Sequence, residues 1–189
     1  MLLLLADGTQ VPATEFPGQG PWTFLVLRPE ESGPPPAGVA ADPGAAGPEP
    51  GGAARSLTRF GRAVVPDLRR RPGWGQPPGG AGFLDLVDDL DQVRTRAGLG
   101  RPVLVGVDEL APVALRAAAD QPWAWRALVL VQPAAALATS AKLDPLDLPA
   151  VVLDADPSSA PGMAALERLL DRLGGGPGWA GIAPDAPPR

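Results

Sequence analysis

Residues 101–133, RPVLVGVDELAPVALRAAADQPWAWRALVLVQP, restrict the fold more than any other stretch of the chain. PVLVGV is an unbroken apolar run bounded by Pro and a turn, ELAPVALRAAAD has helical spacing, and RALVLVQ is a second apolar run. Strand, sharp turn, helix and strand in that order form a crossover unit, which makes the two strands parallel. Strands that are apolar on both faces must be covered on both faces.

The rest of the chain repeats the theme. LLLLADGTQVPATEF (residues 2–16) reads as two short strands around the hairpin turn Asp7-Gly8. WTFLVLR (22–28) and RAVVPDL (62–68) are short buried strands between Pro/Gly segments. FLDLVDDLDQVRTRAG (83–98) is the clearest helix: Phe83, Leu86, Val87, Leu90 and Val93 share one face, its acids precede its arginines, and Gly98 stops it. PAVVLDA (149–155) adds a strand, GMAALERLLDRLGG (162–175) a helix, and WAGIA (179–183) a last short strand. Residues 29–54, rich in Pro, Gly and Ala, have almost nothing to bury and are expected to form a long flexible loop. Alternation of this kind predicts an α/β fold, a mostly parallel sheet with helices on both faces, in a single domain spanning 1–189.

Composition narrows the function. A net charge of −5 without a basic stripe argues against nucleic acid and against an anionic membrane surface; the three arginines 69–71 sit in an expected loop. The absence of cysteine excludes disulfides and thiolate chemistry. MLLLL lacks a basic flank and is too short for the apolar part of a signal peptide, and no apolar run reaches a membrane span, so a cytoplasmic protein is expected. One lysine (Lys142), one isoleucine (Ile182) and no Tyr or Asn, beside 26 Pro and 24 Gly, suggest a GC-rich genome. Histidine has a GC-compatible codon, so that bias does not explain its count of zero.

Nearly the whole chain resembles the lidded α/β-hydrolases. LADGTQVPATEF resembles their opening hairpin, FLVLRP the strand ending at the oxyanion loop, and RAVVPDLRRRPGWGQP the next strand and loop. DLVDDLDQVRTRAGLGRPVLVGVDELAPVALRAAADQPWAWRALVLVQP follows the order of helix, elbow strand, elbow helix and next strand. The resemblance implies a nucleophile within GVDEL, where the family usually has G-x-S-x-G; here Asp108 replaces the serine and Leu110 the second glycine. Where the family has His-Gly after the oxyanion strand, this chain has Arg28-Pro29, and proline has no N–H to donate. The family's acid best matches Asp156 in VVLDADP, but that acid orients a histidine, and IAPDAPPR supplies none. Only about fifteen residues separate LVLVQP from LPAVVLDAD, so the helical cap is also expected to be missing.

Asp108 therefore carries two competing readings. Some members of this fold, haloalkane dehalogenases and epoxide hydrolases, attack carbon with an elbow aspartate and free the ester with histidine-activated water. Asp108 has the carboxylate for the first half, but nothing in the sequence supplies the base for the second. The plainer reading places Asp108 and Glu109 at a helix N-terminus, where capping and the macrodipole favour anions by roughly 1 kcal/mol. With Leu110 in place of glycine the strained elbow is expected to relax at least in part, and Pro112 fits the first helical turn.

The candidate catalytic residues are Asp108 and Glu109, and the candidate ligand pocket comprises Arg28, Pro29, Val107, Asp108, Glu109 and Asp156. A lone Arg28 is a candidate contact for an anionic ligand against the plainer reading of a solvated loop charge. Trp22, Trp74, Trp123, Trp125 and Trp179 are candidates for a pocket or partner surface, against plain core or rim packing. Asp154 and Asp156 lack a third ligand nearby, so no metal and no cofactor is expected. GGAGF and GGGPG lack the residues and context of a phosphate loop.

These readings predict a hydrolase-like protein without a working Ser-His-Asp triad. It would bind a small molecule or pair with itself or a related hydrolase-like subunit, with neither nucleic acid nor membrane as partner. The alternative is a lyase, isomerase or cyclase with Asp108 or Glu109 as base.

Overall fold

The computed structural model describes residues 1–29, 52–69, 71, 81–133, 143, 145–154, 157 and 159–174. Its strands are β1 (Leu2–Leu4), β2 (Gln10–Phe16), β3 (Trp22–Leu27), β4 (Gly61–Pro66), β5 (Val103–Val107), β6 (Ala127–Val131) and β7 (Ala150–Leu153). They form one sheet in the order β1-β2-β4-β3-β5-β6-β7. The β1–β2 and β2–β4 pairs are antiparallel, and every pair from β4 across to β7 is parallel. The hairpin thus closes one edge, and the crossover strands carry the sheet to the other. Both expectations, the hairpin and the parallel sheet, are met.

Among the described residues four helices cover the sheet: α1 (Gly52–Leu57), α2 (Ala81–Arg96), α3 (Ala111–Asp120) and α4 (Ala160–Arg172). Strand pleating sorts the apolar residues onto two faces. Leu25, Leu27, Leu104, Leu128 and Leu130 pack with the buried residues of α2 and α3. Phe24, Val26, Val103, Val105, Val129 and Val131 face the other way, toward Leu57 of α1 and Leu166, Leu169 and Leu170 of α4. Every residue of β5 and β6 is buried, as their unbroken apolar runs require.

Two helices, α2 and α4, begin earlier than the apolar spacing alone predicts, whereas α3 begins two residues later than ELAPVALRAAAD implies. α2 starts at Ala81, so its first turn holds no acid, while Arg94 and Arg96 occupy its last turn. Gly98, with φ of 64°, terminates it: the Gly98 N–H donates to Thr95 O at 3.1 Å and the Leu99 N–H to Arg94 O at 3.1 Å. α4 starts at Ala160, capped by Ser159, whose Oγ accepts from the Gly162 N–H at 3.3 Å.

One expectation is corrected outright. The loop predicted for 29–54 ends sooner, because Gly52–Leu57 is helical with Ala53, Ala54 and Leu57 buried. Two alanines next to a leucine one turn on let the helix lie close on β4, an economy of side chain that resembles a linker in composition. Residues 30–51 of that predicted loop, and the short strand predicted at 179–183, lie outside the described residues.

The arginine cluster is also more than loop charge. The Arg71 side chain is largely buried: its Nη2 donates to Asp89 Oδ1 and its Nη1 to Asp7 Oδ2, each at 2.8 Å, and its Nε donates to the second Asp89 oxygen. Asp89 is the buried charged residue on α2, only 3% exposed. A single guanidinium therefore ties the segment after β4 to a helix and to the hairpin turn.

Candidate functional site

The parallel strands β3, β5, β6 and β7 end along one edge of the sheet, and their register aligns the residues just beyond each end. Leu27 pairs with Gly106, Val107 with Val131, and Val131 with Leu153. One step further, Pro29, Asp108, Gln132 and Asp154 stand in a row. Ligands of open α/β sheets bind outside such strand ends.

Asp108 holds the sharpest geometry in that row. Its φ is 48°, in the left-handed region that non-glycine residues other than Asn and Asp seldom enter. The expected relaxation of the elbow is therefore wrong. Two neighbours explain why Leu110 is tolerated. Leu110 itself has φ of −92°, needs no glycine, and is buried in the core facing α2 and α3, so its bulk leaves the turn. Gly106 carries the close approach instead: a Cβ there would lie 2.5 Å from Ala114 Cβ and 3.0 Å from Ala111 Cα. The elbow stands because its crowded position is glycine and Leu110 sends its side chain into the core.

Asp108 and Glu109 stand at the head of the helix, in the 3-10 turn Asp108–Leu110 that leads into α3, and both are exposed. The N-cap positions of that turn and of α3 belong to Val107 and Leu110, whose side chains have no cap to offer. Pro112 takes a position in the first turn of α3, as expected. Val107, 8% exposed, faces the α1/α4 side of the sheet.

Gln132 was invisible to sequence reasoning. It has φ of 47°, so two left-handed non-glycine residues sit side by side on adjacent strands. The Gln132 N–H donates to Leu153 O at 2.7 Å, which joins β6 to β7 at that point. A Gln-Pro pair at a strand end was the one available signal, and it does not specify φ.

Arg28 lies elsewhere. It is half-buried and lines a cleft of about 120 Å³ with residues 12–14 of β2 and residues 65–69 at the end of β4. Pro29, Val107, Asp108 and Glu109 are absent from its lining. The structure brings Pro29, Val107, Asp108 and Glu109 to the elbow and puts Arg28 beside Thr14, Asp67 and Arg69, which sequence reasoning did not select. Asp154 is exposed after β7, and Asp156 lies outside the described residues.

The tryptophans divide. Trp22 and Trp125 are core residues, 4% and 0% exposed, and the Trp125 Nε1–H donates to Ala117 O at 3.1 Å at the end of α3. Arg126 stacks over Trp22 at 4.6 Å. Trp123 is 68% exposed, and Trp74 and Trp179 lie outside the described residues. Among the described residues no helix is long and apolar enough to cross a membrane.

No protein-family model matches the chain, and no curated protein matches it. Solved structures do. A hydrolase from Pseudomonas aeruginosa PA01 matches with a TM-score of 0.51 at 20% identity, over 76% of this chain and 49% of its own. A membrane phospholipase A, described as a bacterial virulence factor, matches with a TM-score of 0.50 at 21% identity, over 71% of this chain and 39% of its own. The chain thus spans less than half the length of either. Likeness at such identity speaks for architecture alone, and the architecture is that of the α/β-hydrolase fold, a mostly parallel sheet with helices on both faces.

Proposed function

We propose that this chain is a non-hydrolytic protein on an α/β-hydrolase scaffold, and that it works by binding at the strand ends around Asp108. The bound species would be a small molecule, a second copy, or a related hydrolase-like subunit. One observation carries the reading: these 189 residues contain no histidine. An elbow carboxylate that attacked carbon would form an ester, and releasing it needs a base to activate water near neutral pH. Glu109 is adjacent in sequence, but like Asp108 it is exposed and stands in the helix-leading turn. Such an enzyme would stall after one event.

The left-handed elbow favours a second reading. Sparsely populated backbone angles concentrate at functional positions, and Asp108 holds a φ of 48° in a chain with no histidine. A lyase, isomerase or cyclase needs only a carboxylate base to take a proton from carbon, and Asp108 or Glu109 is that base in this alternative.

Tag-free protein should fail to turn over p-nitrophenyl esters and should remain unlabelled by a fluorophosphonate. Repeated ester turnover that disappears in Asp108→Ala would overturn the proposal. A proton-exchange activity on a carbon acid that is lost in Asp108→Asn would select the second reading over the first.

A further inference from the structure

The geometry points to a second site, separate from the elbow: the cleft beside Arg28 binds a small organic carboxylate with a short apolar group. Three features carry this. First, Arg28 makes no hydrogen bond or ion pair among the described residues, although it is half-buried at the mouth of the cleft. Second, its natural neighbour is already taken. The β3–β4 register puts Asp67 level with Arg28, since Leu25 pairs with Val64. Both oxygens of Asp67 are engaged by Arg69, whose Nε donates at 2.8 Å and whose Nη2 donates at 2.7 Å. Among the described residues that fork leaves the Arg28 guanidinium without a hydrogen-bonded carboxylate, and a planar fork of N–H donors matches one. Third, the remaining walls suit the rest of such a ligand. Exposed Pro12 and half-buried Val65 offer apolar surface, and Thr14 offers a hydroxyl on the β2 side.

The charge balance also sets the class of anion. Asp67 stays within the same lining, so a dianion would meet repulsion that a monoanion with a neutral tail meets less. A cleft of about 120 Å³ admits a ligand of benzoate or butyrate size.

The test is a titration of the isotope-labelled full chain with benzoate, butyrate, benzamide and inorganic phosphate, read by NMR. Benzoate and butyrate should shift the Arg28 Nε–H signal and the amides of residues 65–69 in a saturable way. Benzamide should not, and phosphate should bind more weakly than benzoate. Arg28→Gln should weaken benzoate by about tenfold or more, the size expected for a lost charged hydrogen bond. Arg28→Lys should fall between the two, and Asp108→Asn should leave binding unchanged. Shifts confined to residues 106–111, equal binding of benzamide, tighter binding of phosphate, unchanged affinity in Arg28→Gln, or no saturable shift would each overturn the assignment. If Arg28→Gln does not fold, the comparison of benzoate with benzamide on the unaltered chain decides. Ester turnover plays no part in this readout, so the elbow reading can fail while the carboxylate site stands.

Discussion

At residue 108 the backbone matters as much as the side chain. A left-handed φ of 48° is tolerated by aspartate, whose short polar side chain fits that region, and resisted by a β-branched residue. Asp108→Val should therefore lower stability by about 1–2 kcal/mol in urea unfolding, whereas Asp108→Asn should stay within about 0.5 kcal/mol of the parent. Equal losses in the two variants would mean that the side-chain charge, not φ, holds the turn. The neighbouring glycine makes a steric prediction. A methyl at Gly106 would meet Ala114 Cβ at 2.5 Å, so Gly106→Ala should cost about 1–3 kcal/mol, and Gly106→Ala/Ala114→Gly should recover part of it. These two residues also show where sequence reading succeeds and fails. Gly106 was legible because a glycine before an elbow has a steric reason. The consequence of Leu110 was not, because the sequence does not reveal that its side chain turns into the core.

Elements were read well wherever period and burial agree. β5 and β6 are apolar at every position and buried at every position, and the predicted face of α2 is the buried one. Boundaries failed where small or polar residues do the work: Ala53 and Ala54 mimic a linker, and Ser159 caps α4 ahead of its first apolar residue. Polar contacts between distant elements were illegible in principle, since Arg71 reaches Asp89 and Asp7 across 18 and 64 positions of sequence. That network should matter for stability. Arg71 and Asp89 side chains are 8% and 5% exposed, so Arg71→Met would strand a buried carboxylate and should cost about 3–5 kcal/mol. The double variant Arg71→Met/Asp89→Leu should regain most of that loss in chemical denaturation. A double variant as unstable as Arg71→Met alone would show that packing, not charge pairing, holds the segment.

At the scale of the whole molecule the same network contributes to the response to acid. The hydrogen bond from Arg71 beside Asp7, aided by the Thr9 N–H, lowers the Asp7 carboxyl from 3.8 to about 2. Between those values the unfolded chain binds more protons at this group than the folded one. Its contribution to stability is therefore complete above the unfolded value and is lost as pH falls toward 2. Asp89 works in the opposite sense: burial raises its pKa, against the pull of Arg71, so its ionised form burdens the fold and that burden eases on acidification. Asp7→Asn should then flatten the fall of unfolding free energy between pH 4 and pH 2, while leaving little change in that slope above pH 5. A parent and variant with parallel acid profiles would show that the hairpin turn is not held by this ion pair. Because Asp7 lies in the turn between β1 and β2 and Asp89 lies on α2, a changed slope would also establish that the hairpin edge unfolds with the helix-covered sheet as one cooperative unit.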